Sequence, residues 1–200
     1  MNQVTLKRTS DKITGKMGLS WIAHCLKHYG VEEIMKKHFP DNSTSHRAID
    51  SSRKILEGTL TLIAGGKRIE DIEVLRADAG LCQTLGVNKV ISPDTLRELL
   101  KISSTAEQLK RNNEELMIKV MKEVEEKELT YDNDATYFDS EKNCADYSYQ
   151  KRKQFSGLLG FIAELGICIS VDFRKGNISP REGIVDQLQQ AIEMAKKAGK

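Results

Sequence analysis

Apolar positions recur every three or four residues over the first 128 or so positions, and the spacing shortens toward two beyond Leu129. The longer rhythm predicts a series of short helices. Lys16 to His38 holds two helical stretches broken at Gly30, the first with Leu19, Ile22, Leu26 and Tyr29 on one face. Phe39-Pro-Asp-Asn-Ser43 has the composition of a loop. The next helix carries Ile55, Leu56, Thr59, Leu60 and Ile63 as a stripe and stops at Gly65-Gly66. A short helix over Ile69 to Ala77 ends near Gly80. Ser92-Pro-Asp-Thr95 marks another start: serine suits the cap, proline the first helical position, and aspartate the positive end of the dipole. Leu96, Leu99 and Leu100 give that helix its apolar face, and Thr105 to Lys127 reads as one long charged helix with Leu109, Leu116, Val120 and Val124 nearly in register.

The shorter rhythm predicts strands. Leu129 to Tyr137 places Asp132, Asp134 and Thr136 on one face. Leu158 to Ala163 and Ile167 to Phe173 are joined near Gly166; in the second, Ile167, Ile169, Val171 and Phe173 point one way and Cys168, Ser170, Asp172 and Arg174 the other. After Gly176-Asn-Ile178, Ser179-Pro-Arg-Glu182 is a second serine–proline helix start, with Glu182 placed to complete a capping box. Ile184, Leu188, Ile192 and Ala195 form that helix's inner face.

The predicted class is therefore α+β. Residues 1–104 form an all-helical domain, 105–128 a connecting helix, and 129–200 three antiparallel strands followed by a helix. Such a strand unit has an open edge and a thinly covered face, the expectation for a sheet incomplete at its C-terminal end.

Composition changes this picture little. With 39% hydrophobic and 30% charged residues the chain resembles an ordinary soluble protein. No apolar run approaches the roughly 20 residues that cross a bilayer, and the first residues lack a secretory apolar stretch, so a cytoplasmic location is expected. Cys25, Cys82, Cys144 and Cys168 show no C-x-x-C pairing, which argues against zinc and for reduced thiols packed as small hydrophobes.

A net charge of +2 does not point to nucleic acid unless basic residues cluster. Lys67-Arg68 follow a glycine pair, Arg97 and Lys101 share one side of the helix begun at Ser92, and Arg174-Lys175 end a strand. Lys151-Arg-Lys153 is the densest cluster, flanked by Tyr147, Tyr149 and Phe155, which could stack on bases. Each cluster suits phosphate contact; a solvated basic surface is the alternative for each. His24 and His28, one turn apart, lack a third metal ligand, and Gly65-Gly66-Lys67 lacks the spacing of a phosphate loop.

Four segments carry a family resemblance. They are Ile63-Ala-Gly-Gly-Lys-Arg-Ile-Glu-Asp-Ile-Glu-Val-Leu-Arg-Ala-Asp78, Ser92-Pro-Asp-Thr-Leu96, Leu129-Thr-Tyr-Asp-Asn-Asp-Ala-Thr136 and Arg174-Lys-Gly-Asn-Ile-Ser-Pro180. In this order they resemble the N-terminal portion of one group of bacterial insertion-sequence DDE transposases, with an RNase H-like catalytic domain. The resemblance runs from near residue 5 to the end. It implies cutting and joining of DNA by two divalent ions, Mg²⁺ or Mn²⁺, held by three carboxylates, with Asp134 as the first catalytic ligand. It also implies double-stranded DNA as partner, both element ends and target, and leaves self-association open.

On the residues alone Asp132 shares the face of Asp134 and stays an alternative to it, and Asp172 on a neighbouring strand could lend a second ligand, though the resemblance does not suggest it. Relatives place their second aspartate on a strand expected just beyond Lys200 and their glutamate later. The 200-residue chain is therefore expected to be inactive alone; a non-catalytic DNA-binding or transposition-inhibiting product is the competing reading. Relatives also often read tyrosine–x–glycine–x–lysine–glycine–tyrosine where this chain has Tyr149-Gln-Lys-Arg-Lys-Gln-Phe155, with both glycines replaced.

Overall fold

A computed structural model describes residues 10–40 and 48–200. The later part of the loop expected at Phe39–Ser43 falls outside them. The chain divides into two compact units, Met1–Gln108 and Leu109–Lys200.

The first unit is helical: α1 (Met17–His28), α2 (Val31–His38), α3 (Ser51–Ile63), a 3₁₀ turn (Ile69–Asp71), α4 (Ile72–Arg76), α5 (Ala79–Thr84) and α6 (Pro93–Lys101). The break between α1 and α2 falls at Gly30, whose φ of 70° suits a residue without a side chain. Asp50 caps α3 by accepting from the Ser52 N–H at 3.0 Å. Ser92 caps α6 by accepting from the Thr95 N–H at 3.2 Å, with Pro93 in the first turn. One apolar cluster joins Leu19, Leu60, Ile72, Leu75, Leu81, Val90, Ile91 and Leu96; another joins Met35, Phe39, Ile55 and Leu99.

Several side chains depart from the pattern. Phe39, within the expected loop, is 1% exposed. Pro40 ends the helix, but the residue before it still reaches the inner side. Tyr29, Ile63 and Leu100, assigned to inner faces, are exposed. The first two lie at helix ends, and Leu100 is turned about 100° from buried Leu99. The helix expected over Ile69–Ala77 is a 3₁₀ turn plus α4, and a separate α5 contains Gly80. Asp78 creates the second start by accepting from the Leu81 N–H at 2.8 Å. Gly80 is required there by close approach, since a Cβ would lie 2.7 Å from the Ile13 carbonyl carbon.

In the second unit, the continuation of α7 (Thr105–Glu123) precedes β1 (Tyr131–Asp139), β2 (Asp146–Tyr147), β3 (Lys153–Ile162), β4 (Ile167–Lys175) and α8 (Ile184–Ala198). β3 pairs antiparallel with β1 and β4, and β2 joins its first two residues. The sheet thus has one short strand more than expected, and β3 starts earlier, at Lys153. The mixed α+β architecture is the predicted class and is consistent with part of an RNase H-like fold.

The core of this unit gathers Met121, Ile162, Ile169, Ala191 and Met194. Both helices present a different stripe from the expected one. α7 turns Met117, Ile118 and Met121 inward and leaves Leu109 and Val120 exposed. α8 buries Gln187, Ala191 and Met194 and exposes Leu188 and Ile192. α8 also starts at Ile184 instead of near Ser179: Gly183 has φ 83°, and the Glu182 carbonyl accepts from Arg174 Nη1. In β4 the register shifts opposite Gly160/Phe161. Such a bulge breaks the alternation, so Ile167 and Ile169 join the core while Val171 and Phe173 point away, 63% and 62% exposed.

Candidate functional site

Asp134 sits in the middle of β1 with its carboxylate exposed. Strand alternation puts Asp132, Asp134 and Thr136 on one face and Tyr131 and Asn133 on the other. Asp134 lies opposite Leu159, which in turn lies opposite Val171; Thr136 lies opposite Gly157 and then Phe173. The acidic pair therefore shares its open face with an apolar patch in which Phe155 and Phe173 pack at 4.9 Å, and Phe138 and Phe173 at 6.3 Å.

A polar knot beneath β1 holds the strand in register. Asn133 Nδ2 donates to Gln187 Oε1 at 2.7 Å and to Tyr131 Oη at 2.9 Å. Tyr131 Oη and Ser170 Oγ are 3.0 Å apart, and Gln187 Nε2 donates to the Leu158 carbonyl at 3.2 Å. Gly160 makes room for it: a Cβ there would lie 2.1 Å from Tyr131 Oη. At the start of β1, the Thr130 N–H donates to both Glu164 oxygens, at 2.8 and 3.0 Å, and hydrogen bonding from Thr130 holds the Glu164 carboxyl below the usual range. Sequence reasoning missed this knot. Its one signal was Asn133, a polar residue on the strand face opposite Asp132 and Asp134 that must find partners when buried; Ser170 joins the knot only because of the register shift in β4.

Asp172 occupies the α8-side face with Arg174, 4.0 Å from its Nε, so register separates it from Asp134. Asp132 and Asp134 supply hard oxygen donors of the kind a divalent ion such as Mg²⁺ takes. Among the described residues no three His, Cys, Asp or Glu side chains are grouped to hold a metal.

The basic candidates fall into different settings. The backbone N–H groups of Lys67 and Arg68 both donate to Asp71 Oδ2, at 2.7 and 2.9 Å, leaving their side chains exposed at the turn. These two backbone bonds hold the Asp71 carboxyl below its usual range. Arg97 bridges Asp94 and Glu70, each at 2.5 Å, and Lys101 pairs with Glu98 at 2.7 Å. Lys151 and Arg152 lie in the turn before β3, with Tyr147 and Tyr149 exposed beside them; Arg152 lies 3.5 Å from Asp139. Lys153 begins β3, and Lys175 pairs with Asp146 at 3.2 Å. Arg174 is 8% exposed, tied to Ser156 and the Glu182 carbonyl, and joins β4 to the segment before α8. That burial argues against direct phosphate contact by Arg174.

Lys151 has φ 58°, the left-handed region, at the position that the family resemblance assigns to the first glycine of the turn. Gln154 stands at the second and is buried, with Nε2 donating to Asp139 Oδ1 at 2.6 Å. Gly176, in the arginine–x–glycine segment, lies where a Cβ would meet the Gln154 carbonyl oxygen at 2.4 Å. Cys82 is buried as expected, whereas Cys144 is exposed.

Neither a curated protein nor a solved structure matches the chain. Among the described residues no helix is long and apolar enough to cross a membrane. The family described as transposase DDE domain group 1 matches residues 1–200. The acid-bearing first strand, its antiparallel partners and the helix that follows thus belong to a chain of known kind, and the protein is a member of this DDE transposase family.

Proposed function

We propose that this chain serves DNA transposition by meeting DNA through the helical unit and the β2–β3 turn and by contributing Asp134 as a metal-binding carboxylate. The observation that carries the reading is Asp134, exposed at the centre of a strand whose reverse face is locked by four polar side chains. A carboxylate that must grip an ion in one geometry gains from a support that cannot slide.

Divalent ions held there would supply activation of the attacking water or 3′-hydroxyl and stabilisation of the leaving oxygen. This chain's own part is to present the Asp134 oxygens, with Asp132 two residues away on the same face.

Residues 1–104 act in this reading as the end-binding domain, residues 105–128 as the connector and residues 129–200 as the part that carries the catalytic carboxylate. Lys67, Arg68, Lys151, Arg152 and Lys153 are the phosphate contacts. Arg97, Lys101 and Lys175 now sit in exposed ion pairs of the kind worth about 0–1 kcal/mol, which a phosphate can displace. Arg174 acts by holding β4 against the segment before α8. Fluorescence anisotropy with a labelled duplex tests this. Affinity should fall steeply with salt, and Lys67→Glu with Arg68→Glu should weaken it and flatten the salt slope. Unchanged affinity in that double variant would remove the turn after α3 from the interface.

A further inference from the structure

The outward side of α1 carries an aromatic stripe that neither the family chemistry nor the basic clusters use. Met17, Trp21, His24 and His28 recur at spacings of four, three and four, so they fall within a narrow arc of the helix. Leu19, Ile22 and Ala23 meet the core on the opposite side. All four outward side chains are exposed, Trp21 by 68%. The Trp21 and His24 rings stack, with centroids 6.2 Å apart and planes at 29°. His28 meets Tyr29 edge-on at 5.5 Å.

We infer that this stripe is a stacking surface for unpaired nucleobases, such as those of a frayed or single-stranded DNA end. This rests on the reading of the chain as DNA-binding and adds a ligand that the basic clusters do not select. Two observations point to it. The rings of Trp21 and His24 are both exposed and stacked with planes 29° apart, a surface on which a base can stack. The electrostatics suit a polyanion: α1 contains no acidic residue, Lys16 and Lys27 flank the stripe, and α5, packed beside α1, has no charged residue at all. The adjoining α2 is mixed, with Glu32 and Glu33 in its first turn and Lys36 and Lys37 in its last. The four–three–four spacing also matches a helix-pairing seam. Such a seam takes branched aliphatic side chains, though, and half of this stripe is histidine.

Trp21 is the single tryptophan of the chain, so its emission reports on this surface alone. The test titrates the full chain with single-stranded oligothymidylate and with a blunt duplex of equal length, reading tryptophan emission and the anisotropy of a label on the DNA. The expected result is quenching that tracks single-strand binding. Trp21→Ala should then weaken single-strand affinity about tenfold while changing duplex affinity little. His24→Ala should give a smaller loss with the tryptophan reporter kept. Oligonucleotide binding without any change in emission would overturn the stacking surface and leave the duplex-binding proposal standing. Absence of binding to either DNA would overturn both. A blue shift that grows with protein concentration, without DNA, would assign the stripe to a second copy and overturn the nucleobase role.

Discussion

Lys151 is the residue at which sequence and backbone disagree most openly. A left-handed φ of 58° on a side chain with a Cβ costs on the order of 1 kcal/mol. Lys151→Gly should therefore stabilise the protein by up to about 1 kcal/mol in urea unfolding, less whatever glycine adds to unfolded-chain entropy. A second single-residue consequence concerns Asp78. Burial pushes its carboxyl up, but the Thr14 hydroxyl and the backbone N–H groups of Leu81 and Gly80 outweigh that and hold it below the usual range. A depressed folded value means that its stabilisation is complete above the unfolded value, about 3.9, and is lost as pH falls through the folded value. Asp78→Ala should cost about 1 kcal/mol near neutral pH through the lost cap. Asp78→Asn should keep much of the cap but flatten the stability profile below about pH 4. An acid limb unchanged in Asp78→Asn would assign the pH dependence to other carboxylates.

Elements explain what the sequence made legible and what it did not. Caps and breaks are local chemistry, so the α1–α2 break at Gly30 and the start of α6 at Ser92 followed directly from residue type. Which stripe of a helix faces inward is a tertiary matter. In α8, Ile184, Leu188 and Ile192 form a good apolar row, yet Gln187 leads the buried row because its amide completes the knot with Tyr131, Asn133 and Ser170. In β4 a single inserted residue reversed the face of Val171 and Phe173, and no local signal marks that shift. For the candidate site, Asp132 and Asp134 were legible from alternation, whereas the support behind them was not, because its members come from three strands and a helix. The knot is open to test. Gln187→Leu leaves the Asn133 amide, the Tyr131 and Ser170 hydroxyls and the Leu158 carbonyl short of a partner, and should cost about 1–3 kcal/mol in urea unfolding. A near-neutral result would mean that water replaces the amide and that the knot does not fix β1.

At the scale of the whole molecule, the placement of exposed apolar and charged side chains sets how the protein associates. Phe138, Val171 and Phe173 form an exposed apolar patch on the face that carries Asp132 and Asp134. Patches of this kind promote association, so Val171→Lys with Phe173→Lys should lower dye binding and concentration-dependent light scattering while leaving the fold intact. Net charge of only +2 means that attraction to DNA depends on local clusters, and this is why salt dependence is the informative readout for the helical unit.

The central claim, that Asp134 is the carboxylate this chain brings to a metal site, is tested most directly by titrating the ¹⁵N-labelled protein with Mn²⁺ and following paramagnetic broadening of the amide resonances. Weak broadening is expected, centred on Asp132 to Thr136 and extending to Leu159 across the sheet, abolished in Asp134→Asn and reduced but present in Asp132→Asn. Broadening that persists in Asp134→Asn, or that centres on another part of the chain, would contradict it.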